Sequence, residues 1–192
     1  MSSNLRAIIG LGNPGSEYER TRHNAGFWFV DQLAAAERTS FRAESKFQGE
    51  LARIKCGGAD LLLFKPMTFM NRSGEPAQKL AQFYKLTPAD ILIAHDELDL
   101  PAGTVRMKAG GGHGGHNGLR SLHQHFGPDY LRLRVGIGHP GHKDLVHNYV
   151  LGRANKADEQ LINDSLISAA AAIPVWLTQN WEKAVHQLHS NK

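Results

Sequence analysis

Three continuous apolar runs constrain this chain most: Ala7-Ile8-Ile9, Leu61-Leu62-Leu63-Phe64 and Ile91-Leu92-Ile93-Ala94. A short aliphatic run without alternation has no polar face, so it suits a strand buried on both sides. The first run marks a strand over residues 5–11, and Pro66 stops the second. Elsewhere the spacing becomes helical. Ala25, Trp28, Phe29, Leu33 and Ala36 predict a helix over 25–36. Leu80, Ala81 and Tyr84 predict another from Ala77, with Ser73 as its cap and Pro76 tolerated in the first turn. The tail predicts two more, through Ile162, Leu166, Ala169 and Ile173, and through Trp181, Ala184, Val185 and Leu188. Two segments alternate instead. Over 104–108, Val105 and Met107 oppose Thr104, Arg106 and Lys108; over 132–137, Leu133, Val135 and Ile137 oppose Arg132 and Arg134. Strands interleaved with helices predict an α/β fold, a single-domain three-layer sandwich with a mixed central sheet flanked by helices. No repeat, linker or low-complexity tract divides the chain, so one domain is expected over residues 1–192.

The lone cysteine, Cys56, excludes an internal disulfide framework and suits a reducing compartment. It sits in a Lys-Cys-Gly-Gly turn and reads as a spectator. No apolar run approaches a membrane span, and Gly10 breaks the only stretch a signal peptide could use, so a cytoplasmic protein without membrane contact is expected. The net charge is +4, but it is unevenly spread. Residues 101–155 hold seven Lys/Arg against two acids, a local balance of +5, so the remainder carries −1. That basic segment fits a polyanionic partner, or else a solvated face.

Gly10-Leu11-Gly12-Asn13-Pro14-Gly15 matches the dinucleotide fingerprint by letter only. The fingerprint needs a helix opening at its glycines and an acid about 20 residues on, at a strand end. Here Asn-Pro-Gly reads as a turn, residues 16–23 lack helical period, and Asp31 falls inside the predicted helix. The segment instead places Asn13 just past a strand. Met67 to Asn71 follow the 61–64 strand, Asp96 follows the 91–94 strand, and the Gly110–Gly115 loop follows the 104–108 strand. Ligands of open α/β sheets gather outside such carboxyl ends, so polar groups from four strand ends are expected to converge. His23, between the first loop and the first helix, is the candidate base, because imidazole titrates near ~6.5. Asp96 is its candidate partner, since a carboxylate behind the ring fixes the tautomer and holds the imidazolium.

Five of the six residues from Gly110 to Gly115 are glycine, which lets the backbone approach a ligand closely. A helix beginning near Asn117 would aim its amides at the same place; the alternative is a flexible loop. His113 and His116, like His139 and His142, have a His-x-x-His spacing, so a metal site must be weighed. Zinc sites pair such histidines with thiolates or helical His-Glu arrangements, and this sequence offers neither.

Taken together, Gly10 to Gly15, Tyr18, Thr21 to Gly26, Lys65-Pro66-Met67-Thr68-Phe69-Met70-Asn71-Arg72-Ser73-Gly74, His95-Asp96-Glu97-Leu98-Asp99, Gly110 to Leu119 and Arg132 to Pro140 resemble the bacterial peptidyl-tRNA hydrolase family. The match runs in order from residue 5 to the last predicted helix. The resemblance implies a monomeric enzyme that cuts the ester joining a peptide to the 3′ ribose of tRNA, recycling tRNA from stalled translation. It implies His23 as the base, Asp96 as its support, and Asn13, Asn71 and Asn117 as amides holding substrate and water, one of them at the oxyanion. Tyr18, Met70 and Gly114 belong with the substrate-binding set, and His116 lies along the acceptor-strand path. Lys108 and Arg134 form the implied clamp on the tRNA 5′-phosphate, in accord with the basic faces of the two alternating segments. No cofactor and no metal is implied. Two competing readings are a non-catalytic RNA-binding protein on the same scaffold and a metal-dependent amidohydrolase using the glycine-loop histidines.

Overall fold

A computed structural model describes residues 4–190. Residues 1–3 and 191–192 of the expected 1–192 domain lie outside the described residues. The strands are β1 (Arg6–Gly10), β2 (Arg42–Glu44), β3 (Gly49–Cys56), β4 (Ala59–Pro66), β5 (Ile91–Glu97), β6 (Val105–Ala109) and β7 (Leu131–Gly136). The helices are α1 (Ala25–Ala36), α2 (Gly74–Tyr84), α3 (Asn117–Phe126), α4 (Val146–Val150), α5 (Lys156–Thr178) and α6 (Trp181–Ser190). The strands form one sheet in the order β2-β3-β4-β1-β5-β7-β6. The β4-β1-β5-β7 centre is parallel, and β2, β3 and β6 join it antiparallel. The sheet is therefore mixed, as expected.

The continuous apolar runs are its innermost strands. Ile8, Leu63, Leu92 and Ala94 face a cluster built with α1, α5 and α6. Their neighbours Ile9, Leu62, Phe64 and Ile93 face a second cluster built with α2 and α3. Helices on both faces make the three layers of a single α/β domain. In α5, Ile162, Leu166, Ala169, Ile173 and Trp176 pack on the sheet.

Three expectations need correction. Helix α5 does have the length and mean hydropathy of a membrane span, contrary to the sequence reading. Its apolar stripe packs into the core. Ser73 stands at the start of α2 but makes no side-chain cap; its hydroxyl donates to the Met70 carbonyl at 2.8 Å. The third concerns β6. Because it runs antiparallel to β7, with Val105 opposite Val135 and Ala109 opposite Leu131, its carboxyl end lies at the opposite edge from those of β1, β4 and β5. The glycine loop must cross back over the sheet face to reach them.

Candidate active site

Parallel pairing puts the carboxyl ends of β1, β4, β5 and β7 at one edge, and a cavity of about 940 Å³ opens there. Its lining includes every site residue expected from the sequence: Asn13, Tyr18, His23, Met70, Asn71 and Asp96. Lys108, Gly114, His116, Asn117 and Arg134 complete that set. Asp96 belongs to β5 itself, which runs three residues past the predicted 91–94 run and ends at Glu97. His23 lies in a single 3-10 turn over Arg22–Asn24 that leads directly into α1. No helix opens at the Gly10–Gly15 segment, so the fingerprint reading is not borne out.

Asp96 is the centre of the arrangement. Its carboxylate accepts from His23 Nδ1 at 2.9 and 3.0 Å and from His116 Nε2 at 2.8 Å. Hydrogen bonds fix the His116 tautomer. Its Nδ1 accepts from the Gly118 and Leu119 amides at 3.1 and 3.3 Å, capping α3, so the ring proton is on Nε2 and points at Asp96. His23 spends Nδ1 on Asp96, and its Nε2 is the ring nitrogen left to the cavity.

Electrostatics follow from that geometry. Burial alone would raise the Asp96 pKa, but His23 and then His116 outweigh it and hold the carboxyl well below the usual carboxylate range. Burial likewise pushes the His23 pKa down, and Asp96 beside it reverses the sign, leaving the imidazole above its ordinary value. His95, fully buried next in chain, is pushed down to about 4, by burial first and then by His116. A permanent carboxylate thus supports a His23 ring that can gain and lose a proton.

Asn13 is held at three points. Its backbone N–H donates to Asn24 Oδ1 at 2.8 Å, its carbonyl accepts from Asn24 Nδ2 at 3.0 Å, and its side-chain Oδ1 accepts from the Met70 amide at 2.7 Å. The Met70 bond settles which amide atom is oxygen, and it leaves the Asn13 Nδ2 donor without a protein partner among the described residues. Asn24 is a site residue that sequence reasoning missed. The only signal was its place directly after His23. Phe69, 56% exposed and set edge-on to Tyr18, was missed as well. So was the far wall formed by Val146, His147, Val150 and Leu151, because α4 is too short to show a period.

The basic residues fall out unevenly. Lys108 and Arg134 lie on the same face of adjacent strands, but Arg134 Nε is engaged by Glu97 at 2.9 Å. Burial raises the Glu97 pKa, and the Arg134 bond overrides this to hold it low. Arg132, expected on that polar face, is buried.

The His-x-x-His spacings make turns. His113, His139 and His142 each accept, through Nδ1, the amide two residues on. Among the described residues the one group close enough to hold a metal ion is His23, Asp96 and His116. Its donor set fits poorly. Binding through His116 Nε2 would shift the ring proton to Nδ1, against two amide donors.

A profile of the peptidyl-tRNA hydrolase family matches residues 7–192. The chain is 51% identical over 191 residues to a peptidyl-tRNA hydrolase of Neisseria meningitidis serogroup B, covering 99% of this chain and 100% of that one. It is 50% identical to one of Photorhabdus laumondii, covering 99% and 98% respectively. A crystal structure of peptidyl-tRNA hydrolase from Acinetobacter baumannii superposes with a TM-score of 0.95 at 46% identity, covering 100% of this chain and 98% of that one.

Proposed function

The chain belongs to the peptidyl-tRNA hydrolase family, and from that membership we propose how its own residues hydrolyse peptidyl-tRNA. His23 Nε2 takes a proton from water, and the water oxygen attacks the ester carbonyl that joins the peptide to the 3′ ribose. Asp96 holds the resulting imidazolium. Asn13 Nδ2, left unpaired by the Met70 contact, donates to the oxyanion. Collapse of the tetrahedral intermediate expels the 3′ oxygen, which takes the proton back from His23. The observation that carries this reading is the Asp96 carboxylate bonded to His23 Nδ1 in a cavity that Asn13 also lines.

Asn71 and Asn117 bond the peptide backbone of the substrate, and Tyr18, Met70 and Gly114 shape its passage. His116 supports the charge on Asp96 beside the acceptor strand. Lys108 and the remaining donors of Arg134 grip the tRNA 5′-phosphate. One domain over residues 1–192, working as a cytoplasmic monomer, carries the reaction. No metal takes part, because the His116 tautomer supports a hydrogen-bonding rather than a ligating role.

Substrate choice tests the reading. A free α-amino group would bring a positive charge where the asparagine amides expect a peptide link, and each mispaired amide costs ~1–3 kcal/mol. Release of deacylated tRNA is therefore expected to be fast from N-acylaminoacyl-tRNA and slow from free aminoacyl-tRNA. Equal rates on the two would overturn it.

A further inference from the structure

Arg132 carries a charge that the proposed reaction leaves idle. It alternates with the apolar positions of β7, yet it is only 3% exposed. Its guanidinium is spent on the protein. Nη1 donates to the Gly112 carbonyl, and Nη2 is shared among the carbonyls of Gly111 and Pro128 and His123 Nε2. The cation lies over the Tyr130 ring, 4.6 Å from its centroid. Its Nε is buried without a partner. Arg132 lines the cavity, but the bonds it makes are to loop and turn carbonyls and to His123.

What Arg132 grips is the loop that must cross the sheet face. The chain leaves β6 at Ala109, opposite Leu131, and has to reach Asp96 with His116. Gly110, Gly111, Gly114 and Gly115 take positive φ of 66, 119, 57 and 82°, a path closed to most side-chain-bearing residues. The loop has little packing of its own, since a Cβ at Gly112, Gly114 or Gly115 would meet nothing within 4 Å. Gly110 and Gly111 are the exceptions: the first lies near the Pro128 carbonyl and the second against the Lys108 amino end. A loop this free of side chains needs an external hold, and the planar fork of an arginine can span adjacent carbonyls as an ammonium cannot.

We propose that Arg132 is a positioning residue that holds the Gly111 and Gly112 carbonyls. It thereby fixes the path of the glycine loop and delivers His116 to Asp96 and Asn117 to the cavity, without touching RNA. This rests on the hydrolytic reading of the cavity. The decisive comparison uses Arg132→Lys, which keeps the charge and loses the fork, and the milder His123→Ala, which removes one acceptor outside the cavity.

Each variant is assayed on N-acylaminoacyl-tRNA and on an N-acyl amino acid esterified to a single nucleoside, across a salt series. Amide exchange is followed at residues 111–116. Arg132→Lys is expected to lower kcat/KM roughly 10–100-fold on both substrates. The logarithmic salt slope stays at its wild-type value, and amides 111–116 exchange faster while the central strands do not. His123→Ala shifts exchange in the same direction by less, and answers the question if Arg132→Lys fails to fold. A loss confined to the tRNA substrate with a flatter salt slope overturns the proposal, because that is the behaviour of a phosphate ligand. So does wild-type exchange of the loop in the folded variants. Exchange reports on the loop even if the wild-type protein cleaves neither substrate, an outcome that overturns the hydrolytic reading instead.

Discussion

At Asp96 one carboxylate serves two imidazoles, and the second nitrogen of each ring divides their duties. His116 has given its Nδ1 lone pair to the amides that open α3, while His23 keeps Nε2 for the cavity. A base works only when neutral. Burial pulls the His23 pKa down and Asp96 more than restores it, so activity should rise with pH through an inflection above ~6.5. Asp96→Asn removes the charge, leaves burial unopposed and moves that inflection to lower pH. It should also cut kcat about 10²–10⁴-fold, because the amide no longer enforces the tautomer. A pH–rate profile of both proteins checks this, and an acid limb that does not move would argue against the coupling. At this scale the sequence was legible where chemistry dictates residue type: His23, Asp96 and Asn13 could be singled out by placement. Asn24 could not, because its two bonds to the Asn13 backbone depend on a turn that brings residues 11 apart into contact. Arg132 misled, since alternation says which face a side chain leaves from but not whether a loop will cover it.

The elements set how closely these residues can meet. Helix α1 starts at Ala25, two residues after His23, and Gly26 in its first turn lies flat against the sheet. A Cβ there would overlap the Ala94 carbonyl of β5 and the Leu11 backbone. Gly26→Ala must therefore push α1 off β1 and β5 and drag His23 from Asp96. Overpacking of this kind costs about 1–3 kcal/mol or more, and the displaced base should cost activity out of proportion to the lost stability. Denaturant unfolding together with kcat measures both; a variant as stable and active as wild type would show that the contact does not position His23. The helices and inner strands were readable because their periods are strong. Strand β2 has three residues and α4 five, too few to show a period, and β3 alternates weakly through Glu50, Arg53 and Lys55. The direction of β6 was unreadable for a different reason: parallel or antiparallel pairing is a choice of partner, made across the sheet rather than within the strand. That is why β6 was expected to end at the edge of the cavity, whereas the glycine loop leaves it from the opposite edge and still reaches the cavity.

Across the whole molecule, residues 101–155 carry the excess positive charge, and four of their cations, Lys108, Arg132, Arg134 and Lys143, line the cavity. Cationic contacts to tRNA act by counterion release, and each one lost lowers the logarithmic salt slope by about 0.7–0.9. Lys108→Ala and Arg134→Ala should therefore raise KM for N-acylaminoacyl-tRNA and flatten its salt dependence. They should leave kcat nearly unchanged, since contacts made equally in ground and transition states do not alter it. Rates on a single-nucleoside ester are the control, and equal damage there would place both residues in the chemistry or the fold. The fold class was readable from the three apolar runs, whereas the shape of the cavity was not, because its walls come from segments far apart in sequence. At the centre of the proposed mechanism stands His23 as the base. Its most direct test is kcat of His23→Ala on N-acylaminoacyl-tRNA, with circular dichroism confirming the fold. A drop of about 10²–10⁴-fold in a folded protein is the predicted result, and turnover at the wild-type rate would contradict it.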